Sequence, residues 1–223
     1  MASFLPAVEK VLSIEGGYQN DTEDWGNYNA YNSEGNYVPY AQRKGRTLRA
    51  GTQRGISTGL LSSLLKREVT AAEIQAISRE QAIDIYRKVY WDSIHGDEIP
   101  HQRLAELIFD GHVNHGTTGK KLTQKVLNGL GANPPLMVDG AFGPKTLAAI
   151  RQAPVAALFN NLIQARAELY RKLVKDRPDN AKYFQGWMNR LKKFPIMQIP
   201  TTGKQWGAAA GVGVLLYYLL TKS

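Results

Sequence analysis

The chain reads as mainly α. Three observations carry this: apolar residues recur at helical spacing over most of the length, capping-box signatures open helices after Thr70 and Ser78, and no long stretch alternates apolar with polar residues. The one β feature expected is a hairpin between Tyr28 and Tyr40, with SEGN at residues 33–36 as its turn.

Taken in order, Phe4, Val8, Val11, Leu12 and Glu15 follow the i, i+3, i+4 rule for one helix face. They predict a helix from Phe4 to Glu15, with Ser3 as N-cap, Pro6 in the first turn and Gly16-Gly17 as left-handed terminators. TAAE (Thr70, Glu73) and SREQ (Ser78, Gln81) are capping boxes. The second opens a helix to about Trp91, with Ile83, Tyr86, Val89 and Tyr90 inward. LAELIFDGHVNHG forms another helix. Lys120 to Leu130 and Pro144 to Arg151 flank a turn, and longer helices follow at Val155 to Val174 and Ala181 to Leu191. There is neither an internal repeat nor a heptad pattern.

The chain has 223 residues, enough to bury a full core. With 28 basic and 19 acidic residues the net charge is +9, which suits an anionic partner such as nucleic acid, a membrane surface or a bacterial wall. Basic residues are dispersed and no recognition motif for nucleic acid occurs, so that partner ranks last and none is expected. The absence of cysteine removes disulfides and thiolate chemistry. MASFLPAVEK lacks the basic-then-apolar pattern of a signal peptide, so export by another route is expected.

Glu15 is the residue that asks for a function. On the face that packs, and at the negative end of the helix dipole, its ionised form is disfavoured on two counts. A general acid needs that property, whereas a structural role there would suit Lys or Arg. A solvated glutamate at a frayed helix end is the plain alternative. The segment NDTEDWGNYNAYNSEGNYVPY, residues 20–40, is poor in aliphatics and is expected to stay out of the core. It reads either as a long surface loop or as the wall of a carbohydrate groove, since aromatic faces pack on sugars and Asn and Asp bond their hydroxyls. His112 and His115 lie three apart, with His95 and His101 before them, but nothing resembles HExxH, so no metal and no cofactor is expected. DGAFGPKT reads as a turn followed by a helix that starts with proline.

EGGY at 15–18, NDTEDWG at 20–26, GTQRGIS at 51–57, EQAIDIYRKVYWDSIHGDEIP at 80–100 and FDGHVNHG at 109–116 resemble the successive motifs of glycoside hydrolase family 108, the N-acetylmuramidases. VDGAFGPKTLAAI at 138–150 and FQGWMNRL at 184–191 are similar to the peptidoglycan-binding region that follows in that family. The resemblance spans roughly residues 5–193 in the same order. It implies a lysozyme-like helical catalytic domain with a small loop or hairpin insertion over residues 1–116 and a peptidoglycan-binding-like helical region packed on it at 117–194; beyond the resemblance, the residues themselves read as a linker at 195–205 and a terminal hydrophobic helix within 206–223.

The activity implied is cleavage of the β-1,4 bond between N-acetylmuramic acid and N-acetylglucosamine, with Glu15 matching the catalytic glutamate. Asp24, before Trp25-Gly26, matches the second carboxylate, and Thr52 the small hydroxyl residue that holds the attacking water. Here the chain departs from the family pattern: about 25 residues separate Asp24 from Thr52 where family members run almost directly into the turn, which keeps Asp21, Glu23 and Glu34 as alternatives. Substrate contacts are expected of Tyr18 and Trp25. Asp110 and Asn114, one turn apart on the helix matched to the cleft, are expected either to meet sugar or to orient Glu15, or else to bond within the core. Tyr86, Tyr90 and Trp91 are core aromatics or the edge of the cleft. The chemistry agrees, because glycoside hydrolysis needs one protonated and one ionised carboxyl.

Past the linker, Trp206 to Leu220 is a run of 15 uncharged residues between Lys204 and Lys222. As a helix it spans about 22 Å, short of the roughly 30 Å hydrocarbon core, and its flanks predict membrane contact by partial insertion or across a thinned bilayer. A monomer acting at the cell wall or periplasm is expected, anchored by this tail or carried by a phage particle. A non-catalytic wall-binding component of a phage or secretion apparatus is the alternative.

Overall fold

A computed structural model describes residues 1–198. Trp206 to Leu220 and the linker from residue 199 lie outside the described residues. The chain falls into two compact units: residues 8–88, and residues 1–7 with those from 89 onward. Among the described residues the architecture is mainly helical, with one two-stranded sheet.

The first helix, α1 (Phe4–Leu12), buries Phe4, Ala7, Val8 and Val11, as its spacing predicts. It stops three residues before the expected end. Glu15 lies past it in a further turn, its backbone N–H still donating to the Val11 carbonyl at 3.2 Å. Gly16 and Gly17 are not left-handed, which corrects the expected terminator.

In the unit of residues 8–88, β1 (Thr52–Gln53) and β2 (Ile56–Ser57) pair antiparallel, with Thr52 opposite Ser57 and Gln53 opposite Ile56. Arg54 and Gly55 make the two-residue loop at φ +53° and +75°, the pair of positive φ values that matches strand twist in a tight hairpin. Ser57 then caps α2 (Thr58–Leu65). Thr70 with Glu73 and Ser78 with Gln81 form the two capping boxes that open α3 (Ala71–Gln75) and α4 (Arg79–Tyr86). On the surface of this unit Arg79 pairs with Glu9 of α1.

Residues 20–40 are not all surface. Asn27, Tyr28, Asn29, Ala30 and Val38 are buried. This polar stretch can be buried because its amides satisfy the loop's backbone groups: Asn29 Nδ2 donates to the carbonyls of Leu48 (2.8 Å) and Val69 (2.9 Å), and its Oδ1 accepts from Val69 N (2.7 Å). Ser62 Oγ accepts from Ala30 N and Tyr31 N in the same way. The expected hairpin is reduced to one antiparallel bridge, Tyr31 with Tyr37, closed by a turn in which Gly35 has φ +78°.

After α4 the chain makes a π-helical turn, Arg87–Trp91. The wider turn shifts the spacing from four residues to five, so Trp91 is buried while Tyr90 is only half-buried. In the unit from residue 89, α5 (Gln102–His115) and α6 (Thr117–Gly129) cross where Gly119 meets Gly111; a β-carbon on Gly119 would stand 2.2 Å from the Gly111 carbonyl oxygen. Then come α7 (Pro144–Gln152), started by its proline, α8 (Val155–Asp176) and α9 (Ala181–Lys192). Ala167 and Tyr170 of α8 pack with Met188 and Leu191 of α9. The expected linker begins pinned, because Asn160 of α8 clamps Met197 through its carbonyl and its N–H at 2.9 Å each.

Candidate active site

Glu15, Tyr18, Asp24, Trp25 and Thr52 all belong to the unit of residues 8–88, and the β1–β2 hairpin organises them. Glu15 is half-buried at its turn end. A β-carbon on Gly55 would come within 3.0 Å of Glu15 Cδ and 2.1 Å of the Tyr86 hydroxyl oxygen, so the loop backbone lies directly on the glutamate side chain. That hydroxyl donates to the Arg54 carbonyl at 3.2 Å, holding the turn in place.

Asp24 is attached at the open end. It caps the short 3₁₀ turn Trp25–Asn27, with Oδ1 accepting from Gly26 N at 2.9 Å. Gly26 in turn faces Ser57, the partner of Thr52; a β-carbon there would lie 3.6 Å from Ser57 Cβ. Asp24 Oδ2 accepts from Gln19 Nε2 at 3.3 Å, and Gln19 pairs through its backbone with Thr52 (2.8 and 3.0 Å). Asn27 closes the network: it donates to Gln19 Oε1 at 3.0 Å, while its own Oδ1 accepts the Thr52 hydroxyl at 2.6 Å. With its proton committed to Asn27, the Thr52 hydroxyl presents lone pairs, so it can accept a hydrogen bond from a water.

The alternative carboxylates are differently engaged. Asp21 is exposed and accepts from Glu23 N at 2.9 Å. Glu23 pairs with Lys44 at 2.8 Å, which holds its carboxyl below the usual range. Glu34 sits at the tip of the Tyr31–Tyr37 turn, bonded to Asn36. Gln19 and Asn27, which join Asp24 to Thr52, carry no sequence signal beyond lying in a polar segment. Tyr18 is 38% exposed, with its ring over Gly51 and its hydroxyl donating to the Ala50 carbonyl at 3.1 Å. Trp25 is half-buried.

The remaining candidates lie in the other unit, where Trp91 and Asp110 take the core placement that the sequence left open beside a cleft role. Trp91 is fully buried, its indole N–H donating to Asp97 at 2.9 Å and its ring packed against Phe4 and Phe109, which leaves no face for a sugar. Asp110 is also buried, with one oxygen 2.7 Å from Arg166 of α8 and the other 2.7 Å from Arg190 of α9. The two guanidinium groups keep its carboxyl low despite burial, and it serves as the ionic tie of the α5, α8 and α9 core. Asn114 is exposed and bonds back to the Asp110 carbonyl at 2.7 Å. His112 and His115 are pushed down to about 4 by burial. Among the described residues no group of three or more acidic or histidine side chains is arranged to hold a metal ion, and no helix is long and apolar enough to cross a membrane.

A half-buried glutamate and a hydrogen-bonded aspartate at opposite ends of one small hairpin, in a mainly helical chain, fit the lysozyme-like class of glycoside hydrolases. Residues 8–116 match the model of the glycosyl hydrolase 108 family, and residues 118–192 match one described as Predicted Peptidoglycan domain. Among solved structures it is similar to the one titled Structure of Brucella abortus SagA, with 26% identity over 94% of this chain and 95% of that one and a TM-score of 0.64. A comparison with curated proteins finds no match. The two family matches make the chain a peptidoglycan hydrolase, with the cell wall as its place of action.

Proposed function

We propose that the chain is an N-acetylmuramidase that cleaves the β-1,4 bond between N-acetylmuramic acid and N-acetylglucosamine. Glu15, as the acid, protonates the leaving glycosidic oxygen. Asp24, as the carboxylate, activates water or stabilises positive charge at the anomeric carbon, and Thr52 accepts a hydrogen bond from that water. Tyr18 and Trp25 supply aromatic surface for the glycan. The observation that supports this most is the hairpin itself: its turn lies on Glu15, and its open end is joined to Asp24 through Gln19 and Asn27. Residues 118–192, with their match to a peptidoglycan domain, would hold the enzyme on the wall.

The test is digestion of purified peptidoglycan followed by mass analysis of the new reducing ends. Muramic acid there supports the reading. Glucosamine ends would reassign the cleaved bond, and no release would leave a binding module.

A further inference from the structure

Segment 20–50 presents a tyrosine in an unusual setting. Tyr40 is 55% exposed, yet its ring is held. It meets the Trp25 ring at 6.0 Å between centroids and 39° between planes, and the Arg43 guanidinium lies 5.4 Å from its centroid. Arg43 is itself only 7% exposed; its Nε donates to the Val38 carbonyl at 3.2 Å, and its Nη1 occupies space beside Gly59 that a β-carbon would enter at 2.6 Å. Burying a guanidinium costs free energy unless it is bonded, and Arg43 is held beside the ring by its bond to Val38. The arrangement keeps an aromatic face at the surface, braced from behind.

Its position gives the shelf a use. Trp25 directly follows Asp24 and belongs to the turn that Asp24 caps, so the shelf starts one residue from the proposed second carboxylate. An aromatic face is electron-rich, and the C–H groups on one side of a pyranose ring are weakly positive, so a sugar stacks on such a surface without needing a charged partner.

We propose that the Trp25–Tyr40 shelf is a sugar subsite for a β-1,4-linked N-acetylhexosamine strand, beyond the bond being cut, which makes the protein favour long glycans over short ones. This rests on the hydrolase reading above, but it concerns binding and can be read separately. The probes are the hexamer and the dimer of β-1,4-linked N-acetylglucosamine, titrated by calorimetry into a Glu15→Gln background so that turnover does not interfere. Tyr40→Ala should weaken hexamer binding about tenfold, the loss expected when one anchoring aromatic is truncated, with a smaller effect on the dimer. Tyr40→Leu keeps apolar bulk without the π face and should lose as much, which covers the case in which the alanine variant folds poorly. Tyr40→Phe should stay within about twofold of its parent, because only the ring is needed. Leu48→Ala, another change at an exposed position in the same segment, should alter neither affinity. Hexamer binding unchanged in folded Tyr40→Ala and Tyr40→Leu, or lost equally for hexamer and dimer, would overturn the subsite. Wild-type protein that releases no muropeptides while the Tyr40 dependence persists would sink the hydrolase reading alone.

Discussion

The side chain of Glu15 and the backbone of Gly55 are in direct contact: a β-carbon added to Gly55 would stand 3.0 Å from both Cγ and Cδ of the glutamate. Gly55 also has φ +75°, which L side chains rarely adopt. Gly55→Ala should therefore cost stability of about 1–3 kcal/mol from backbone strain and crowding together, and should lower hydrolysis more than Tyr86→Phe, which removes one hydrogen bond to the same turn but leaves its shape. Denaturant melts and muropeptide release on both variants check this. Equal activity in Gly55→Ala and wild type would mean that the hairpin does not position Glu15.

At the other end of the hairpin, Asp24 is distinguished from its neighbours by its tie to Thr52 through Gln19 and Asn27. Asp24→Asn should reduce kcat far more than Asp21→Asn or Glu34→Gln, with KM little changed. Asn27→Ala, which frees the Thr52 hydroxyl, should fall between them. Steady-state kinetics on the four variants decides the matter, and a larger loss in Glu34→Gln would move the second carboxylate to the Tyr31–Tyr37 turn.

These two ends of the hairpin differ in how far the sequence disclosed them. The half-burial of Glu15 was legible because four apolar residues at helical spacing point to its face. The helices from Gln102 onward and the two capping boxes were legible for the same kind of reason, a periodic stripe or an end signature held in a few adjacent residues. The hairpin was not. Its strands are two residues each, too short to alternate, and its turn places Arg54 at a positive φ where asparagine would have been the signal. The burial of Asn27 and Asn29 was equally hidden, since it depends on carbonyls up to forty residues away. Asp110 carries no mark that separates a core ion pair from a ligand contact, because both arginines that claim it come from distant helices.

That triad makes its own prediction. Asp110→Asn leaves Arg166 buried opposite a neutral amide, and breaking a buried pair in this way costs about 3–5 kcal/mol. Melting should show a large loss, while the folded fraction keeps its turnover within a few-fold of wild type. A stable Asp110→Asn protein with collapsed turnover would return Asp110 to the chemistry.

His112 and His115 should begin the loss of stability on the acid side. His112 and His115 sit near 4 in the folded state, below their ordinary value of 6.5. Between those values the unfolded chain binds more protons than the native one, so stability is full above about 6.5 and falls as pH drops toward 4. Glu73, held to about 2 first by Arg67 and then by Thr70, adds a second loss as pH falls from its ordinary 4.5 toward 2. Urea melts from pH 8 to pH 4 should show the decline begin near neutrality, and His115→Gln should make it shallower. A curve flat down to pH 5 would show that the two rings are not kept neutral by burial.

The central claim is that Glu15 donates the proton, and Glu15→Gln tests it most directly. The substitution keeps size and shape and removes the acid. Muropeptide release from purified peptidoglycan, measured beside circular dichroism melts of the same samples, should fall by about 10²-fold or more with the cooperative unfolding transition retained. Release at the wild-type rate from a folded Glu15→Gln protein would contradict the account.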